Sequence, residues 1–211
     1  MKKADPLAAL MTRKTAVKKP AKAPEEIAKI MSEFRELKAK YEEQQALIEM
    51  LERDAKSDPL TNLANRRTFE DELERSLATA RRYGRHHALL VIDVNDFKSI
   101  NDRLGHSMGD QVLQHIARLL RQNIRPTDIA ARYGGDEFCV ILNELRAIEN
   151  AEMRAQSLSD IISRTPCVGE KHTVHVGASV GVCVFGADDE AADIFQRADT
   201  NMYEQKQKHS A

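Results

Sequence analysis

"ARYGGDEFCVIL", residues 131–142, sets two adjacent carboxylates, Asp136 and Glu137, between a pair of glycines and a run of residues suited only to a core. "FCVIL" is apolar at every position, so the strand it predicts, at about 136–143, must be covered on both faces. Gly134-Gly135, between this strand and another at about 128–133, predicts a two-residue hairpin turn with positive φ at its central positions. The two acids then sit at the hairpin tip. "ALLVID", residues 88–93, repeats the theme: a buried strand runs straight into Asp93, and Asn95, Asp96 and Lys98 follow. Carboxylates crowded at the ends of buried strands raise one another's pKa unless a cation neutralises them, and hard oxygen ligands favour Mg²⁺ or Mn²⁺. A divalent-metal site is expected.

Outward from these strands the pattern alternates. Helices are expected at about 67–83, 108–124, 146–163 and 190–208, with strands at about 87–94, 128–133, 136–143 and 173–184 and a loop over 95–107. Such alternation predicts an α/β or α+β domain with helices laid on a sheet. The stretch "SDPLTNLANRR", 57–67, packs Asp58, Pro59, Asn62 and Asn65 around Leu60 and Leu63 and reads as a structured elbow.

Before the elbow the grammar differs. Ile27, Ile30, Phe34, Leu37, Tyr41, Gln44, Ile48, Leu51 and Ala55 follow a 3-4 spacing with charged residues between them, the seam of a coiled coil. So narrow a stripe hides too little surface to hold a lone helix, so a second protomer is the simplest partner. A helix packed on its own domain is the plainer alternative. Gln44 in the seam would weaken the pairing slightly and help fix its register. Residues 1–24 carry seven cations against Asp5, a charge of +6, which leaves −7 on residues 25–211 within the net −1. The expected organisation is a basic flexible tail at 1–24, a coiled-coil dimerisation helix at 25–56, and a folded α/β domain at 57–211.

An acidic body argues against phosphate-backbone binding, so no nucleic acid is expected as a partner. Cys139, Cys167 and Cys183 are odd in number and lack metal-ligand spacing, which suits reduced core thiols. No stretch approaches the roughly 18 apolar residues of a transmembrane segment, and a cytoplasmic protein is expected. His172 and His175, on alternating positions of an expected strand, read as fillers and not as ligands.

Five motifs in order, "DPLTNLANRR", "IDVNDFKSINDRLGHSMGD", "RPTDIAARYGGDEF", "ASVGV" and "ADTNMYEQK", make residues 57–208 resemble the GGDEF-domain diguanylate cyclases. The resemblance implies a palm-like fold of the nucleotidyl-cyclase type, with a central, mostly antiparallel sheet flanked by helices. It also implies condensation of two GTP into cyclic di-GMP with release of two pyrophosphates. Asp93, the carbonyl of Val94, Asp136 and Glu137 match the family's metal-binding positions, and Glu137, Asp136 and Asp93 its catalytic ones. Backbone amides from Asn95 through Phe97 to Lys98 match the phosphate-binding loop, with Lys98 and Lys206 adding charge, and Asn101 and Asp110 match the guanine-reading positions. His106, within "LGH", is expected to order the loop that carries them.

Arg125 and Asp128 stand at the spacing of the family's product-inhibition site. A further arginine that relatives often supply from the following helix is replaced by Ser157, with Arg154 a substitute nearby. Asn95 stands where many relatives carry a second aspartate, and "KHSA" stands where they commonly continue with Gly-Arg-Asn. Each domain of the family holds one GTP, so ring closure implies a homodimer, with residues 1–56 the segment on which a partner protein would act. A silent receptor, binding cyclic di-GMP through Arg125 and Asp128, is the alternative that the intact acids at 93, 136 and 137 disfavour.

Overall fold

The computed structural model describes residues 23–169 and 172–209, so most of the expected basic tail, and Ser210 in the C-terminal departure, lie outside the described residues. The chain divides into two units, Met1–Met50 and Leu51–Ala211.

Helix α1, Ala23–Lys56, takes in the whole heptad stretch. Its described seam residues Ile27, Ile30, Phe34, Leu37, Tyr41 and Ile48 are all exposed, Leu37 at 67%.

The second unit is built on a four-stranded sheet in the order β2-β3-β1-β6, formed by β1 His87–Val94, β2 Ile129–Arg132, β3 Glu137–Leu142 and β6 Ala178–Phe185. Every pairing in it is antiparallel. The residues of β1 alternate between two cores. Ala88, Leu90, Ile92 and Val94 pack with residues of α4, His106–Asn123, and α5, Glu149–Arg164. Leu89 and Val91 pack with Phe69, Leu73 and Leu77 of α2, Arg66–Tyr83, and with Ile194, Ala198 and Met202 of α6, Ala191–His209. Two covered faces explain why "ALLVI" and "FCVIL" carry no polar alternation, since each buried Leu, Ile or Val contributes about 1.5–3 kcal/mol.

Local chemistry sets the boundaries. The Asn65 side chain caps α2 by accepting from Thr68 N at 3.0 Å, and Gly84 ends the helix in the left-handed region at φ 63°, its N–H on Ala80 O. The elbow is held by Asp58, whose Oδ1 accepts from Thr61 N at 2.8 Å and from Thr61 Oγ1 at 2.6 Å, and which pairs with Arg132 at 3.2 Å. The Asn65 amide donates back to Ala55 O at 2.8 Å, tying the start of α2 to the end of α1.

Three expectations need correction. The loop expected over 95–107 contains α3, Phe97–Leu104, a helix of eight residues too short to announce itself by periodicity; Phe97, Ile100 and Leu104 pack it on the core. The strand expected at about 173–184 is two strands: β5, Thr173–Val174, pairs with β4, Cys167–Val168, in a separate two-stranded sheet, and β6 starts afresh at Ala178. Between them the Gly177 carbonyl accepts from Asn95 N at 3.0 Å, which bends the chain toward the end of β1. Finally, Tyr133–Asp136 join β2 to β3, and neither Gly134 nor Gly135 has positive φ. A connection longer than two residues does not require the mirror-image turn.

Candidate active site

The odd-numbered face of β1, which carries Leu89 and Val91 into the α2/α6 core, ends in Asp93. The β-ladder sets Asp93 directly opposite Glu137 on β3 and Ser179 on β6. Side chains at directly opposed positions leave the sheet on the same face, a few ångströms apart. The acids therefore meet because "ALLVID" and "GGDEF" are in register, and the Asp136 carbonyl closes that end of the ladder by accepting from Val94 N at 3.2 Å. Val94 is buried and pairs with Ala178.

Helix α6 brings the counter-charge. It lies so close to β6 that a Cβ on Gly181 would be 2.0 Å from Ala198 O, so only a hydrogen fits there. Two turns further on, Lys206 Nζ reaches Asp93 Oδ1 at 2.5 Å. That bond, with the field of Asp93, Asp136 and Asp96, pushes the Lys206 ammonium above its ordinary range. Glu137 is shifted up as well: burial raises its carboxyl first, then Asp136, Asp93 and Asp199, with Lys206 acting the other way. The glycine before the acids has a steric role: a Cβ on Gly134 would stand 2.5 Å from Glu137 Oε2, whereas one on Gly135 would meet nothing within 4 Å.

Asp93, Asp136 and Glu137 offer hard oxygens of the kind Mg²⁺ or Mn²⁺ takes. Among the described residues no three His, Cys, Asp or Glu side chains already form a cluster able to hold an ion. The donor chemistry nevertheless fits a divalent cation, since burial and like charge both work against ionised Glu137 and a cation would relieve this. Asn95 is held by Ser179, whose hydroxyl donates to Asn95 Oδ1 at 2.8 Å.

The expected phosphate loop is only partly as read. The Asn95 N–H is already given to Gly177 O, so it is not an anion donor. Asp96 takes the left-handed conformation, φ 56°, and α3 begins immediately after it. The amides of Phe97, Lys98 and Ser99 thus fall in the first turn of a helix, where intrahelical acceptors are lacking and the dipole favours an anion. Beside them Asn101 Oδ1 is buried without a hydrogen-bond partner among the described residues. Gly109 leaves it room, since a Cβ there would fall 1.9 Å from that oxygen and 3.2 Å from Phe97 Cζ. Asp110 is exposed next to Gly109 on α4, and His106 is exposed where α4 begins. Phe97 and Asn101 of α3 thus meet α4 at Gly109, next to Asp110, and the exposed His172 and His175 line a cavity of about 770 Å³ together with Asn95, Asp96, Ser99 and Arg103.

Arg125 and Asp128 form a tight turn outside the carboxylate site. Asp128 is buried, and its two oxygens accept main-chain amides, Oδ2 from Arg125 at 3.0 Å and Oδ1 from Asn143 at 3.1 Å. The Arg125 side chain is exposed and borders, with Asp128, a cavity of about 320 Å³ that Ser157 and Arg154 also line. Sequence reasoning missed Ser179 and Asp199. Neither stands in a charge cluster along the chain; only the register of β6 and the phase of α6 bring them to Asp93 and Glu137.

Residues 55–211 match the family described as diguanylate cyclase, GGDEF domain. The chain is a member of the GGDEF-domain family. The GGDEF domain of this chain is 34% identical over 165 residues to the probable diguanylate cyclase DgcE of Escherichia coli K12, covering 78% of this chain and 15% of that protein. It is 38% identical over 150 residues to the bifunctional diguanylate cyclase/cyclic di-GMP phosphodiesterase MucR of Pseudomonas aeruginosa, covering 71% and 22%. With the diguanylate cyclase TpbB of P. aeruginosa the match is 34% over 183 residues, covering 84% and 42%. The chain thus spans less than half the length of these curated relatives. Among solved structures, the coiled coil and GGDEF domain of DgcB from Caulobacter crescentus in complex with c-di-GMP superposes with a TM-score of 0.77 at 30% identity, covering 84% of this chain and 94% of that one. Diguanylate cyclase SiaD from P. aeruginosa in complex with its activator SiaC gives a TM-score of 0.71 at 28% identity, covering 87% and 70%. The GGDEF fold therefore continues in these neighbours with a sheet and helices like those described above. No described helix is long and apolar enough to cross a membrane.

Proposed function

We propose that this GGDEF domain is an active diguanylate cyclase that condenses two GTP into cyclic di-GMP and releases two pyrophosphates. The observation that carries the reading is the opposed pair Asp93 and Glu137, intact and flanked by Asp136, at the end of the β1–β3 ladder. A silent binding domain has no use for three acids kept together at the cost of their mutual repulsion.

On this reading Asp93, the Val94 carbonyl, Asp136 and Glu137 would hold Mg²⁺ or Mn²⁺, which when bound supplies Lewis-acid polarisation of the α-phosphate and acidifies the attacking hydroxyl. The chain's own groups do the rest. Amides of Phe97 and Lys98 at the start of α3 bind the outer phosphates, with the Lys98 and Lys206 side chains adding positive charge. Asn101 and Asp110 read guanine: the orphaned Asn101 oxygen is an acceptor awaiting a donor, and guanine offers N1–H and N2–H₂ where adenine does not. The 3′-oxygen of one GTP attacks the α-phosphorus of the other, the P–O bond to pyrophosphate breaks, and Glu137 is the carboxylate suited to receive the hydroxyl proton. The same exchange in reverse sense closes the ring.

One domain holds one nucleotide, so the reaction needs two domains face to face. The exposed seam of α1 supports a homodimer made through that helix, with a protein partner acting on residues 1–56 as the input. Arg125, beside Asp128, is the proposed anchor for inhibitory product.

The test is direct. Purified protein incubated with GTP and Mg²⁺ is expected to produce cyclic di-GMP and two equivalents of pyrophosphate, with Glu137→Gln reduced by several orders of magnitude. Product binding without any turnover at high protein concentration would leave only the receptor reading.

A further inference from the structure

The cavity beside Arg125 has Ser157 where relatives place an arginine on the following helix, and the nearby Arg154 is partly engaged elsewhere. Ser157 carries no charge. Arg154 lines the cavity, but its Nη2 is committed to the Asn123 carbonyl, where it ties α5 to the end of α4. A different arginine, Arg146, lies on the connection from β3 to α5. It borders the same cavity of about 320 Å³ and also a second of about 470 Å³, and Arg125 and Asn143 are common to both. Arg125, Asn143 and Arg146 thus form the shared wall of two cavities, the larger of which Glu72 and Glu144 also line. Both arginine side chains are exposed, and neither has an ion-pair or hydrogen-bond partner among the described residues.

The placement of Arg146 is built and not incidental. Asn143 N donates to Asp128 Oδ1, and Asn143 Nδ2 donates to Thr127 O at 2.7 Å, so this connection is fastened to the Arg125–Asp128 turn. Asn143 Oδ1 in turn accepts from Ser76 Oγ at 2.9 Å. Glu144 takes the left-handed conformation at φ 49°, a strained choice for a residue with a β-carbon, and reverses the chain. Leu145 N then donates to His86 O at 2.8 Å. With residues 143 to 145 fixed on both sides, Arg146 is delivered to the mouth of the site, with Leu145 and Met153 as apolar lining.

We infer that Arg146 is the second guanidinium of the product site in this chain, pairing with Arg125 to bind one ligand that carries two phosphodiesters and flat purine faces. The inference rests on the reading of Arg125 and Asp128 as a cyclic di-GMP site. A forked guanidinium matches a phosphodiester or a guanine edge with two parallel hydrogen bonds, which an ammonium does not reproduce. Two cationic side chains lining one cavity suit a dianionic ligand.

The experiment is calorimetric titration of the full chain, cleared of bound nucleotide, with cyclic di-GMP. It compares Arg125→Ala, Arg146→Ala, Arg146→Lys and Arg154→Ala, with thermal unfolding of each variant as the folding check. Arg146→Ala is expected to weaken binding by about 10- to 100-fold with unchanged unfolding, and Arg146→Lys to recover only part of that loss. Arg154→Ala is expected to act on the unfolding temperature and to leave affinity within about threefold. If Arg125→Ala abolishes binding and Arg146→Ala binds as the wild type does, the inference is overturned and the reading of the site survives. If the wild type does not bind, or Arg125→Ala binds unchanged, that reading fails first and takes the inference with it.

Discussion

Lys206 on α6 holds Asp93 at the end of β1, Nζ to Oδ1 2.5 Å, across 113 residues of sequence. The ammonium sits on the one buried carboxylate of the site, a cation in the place where the chemistry calls for one. Three acids and one lysine leave the site short of positive charge, and Glu137, raised first by burial, is pushed further up by Asp136 and Asp93.

Removing the lysine should therefore be felt most when no metal is present. Lys206→Met is expected to destabilise the metal-free protein by about 1–3 kcal/mol, because the Asp93 side chain keeps its burial and loses its donor. Added Mg²⁺ should recover a larger share of stability in the variant than in the wild type. Urea unfolding with and without Mg²⁺ reads both effects, and equal metal responses would mean that Lys206 and the metal do not share Asp93.

The two glycines of the hairpin should separate cleanly. Gly134→Ala places a methyl 2.5 Å from Glu137 Oε2, and the displaced carboxylate is expected to lower GTP turnover by about 10- to 100-fold with little loss of fold. Gly135→Ala meets nothing within 4 Å, so turnover at saturating GTP should hold and only KM should rise. Steady-state kinetics decides between this and a shared, merely conformational role, for which both substitutions would behave alike.

A charge in the α1 seam tests the dimer. Leu37→Glu puts a carboxylate at a position that is 67% exposed in the single chain and would be covered in a coiled coil. Sedimentation is expected to show monomer where the wild type is dimer. Cyclase activity per molecule should fall about tenfold or more at low concentration and recover as concentration rises. Unchanged sedimentation would remove the seam from the account.

His87 gives the protein an acid-side weakness. It is buried at the start of β1, stacks on Phe185 with centroids 5.4 Å apart, and its Nδ1 lies 2.9 Å from Asn143 Oδ1. Burial lowers its pKa first and His86 assists, against the Asn143 bond and Glu144; burial also lowers His115, with Arg118 assisting. An imidazole depressed in the fold stays neutral there while the unfolded chain takes up protons, so its stability is fully present above the ordinary histidine pKa and is lost as pH falls below it. Denaturant midpoints should drop between about pH 7.5 and about 5.5, and less in His87→Phe, which keeps the ring stack. Parallel curves would assign the loss to His115 and the remaining groups.

What was legible along the chain, and what was not, follows from the range of the forces involved. The strands at "ALLVI" and "FCVIL", the acids at their ends, the heptads of α1 and the elbow at Asp58–Asn65 are all written in nearest-neighbour chemistry: apolar runs, period, turn formers and caps. Alternation could not report α3, whose eight residues hold only a few apolar contacts, nor the break between β5 and β6, which depends on Gly177 meeting Asn95. Gly134 and Gly135 depart from the two-residue-turn expectation because the turn belongs to a longer connection, and space beside Glu137, not backbone handedness, is what the first glycine supplies.

By itself the sequence determined which segments are core and where charge must be tolerated at their ends, since both follow from desolvation acting on consecutive residues. Only the tertiary structure decided which charges meet. The β1–β3 register opposes Asp93 to Glu137, the close fit of α6 on Gly181 carries Lys206 to Asp93, and the left-handed bend at Glu144 brings Arg146 beside Arg125. Coulomb forces between groups far apart in sequence act only after packing has set their separation, so no local pattern encodes them.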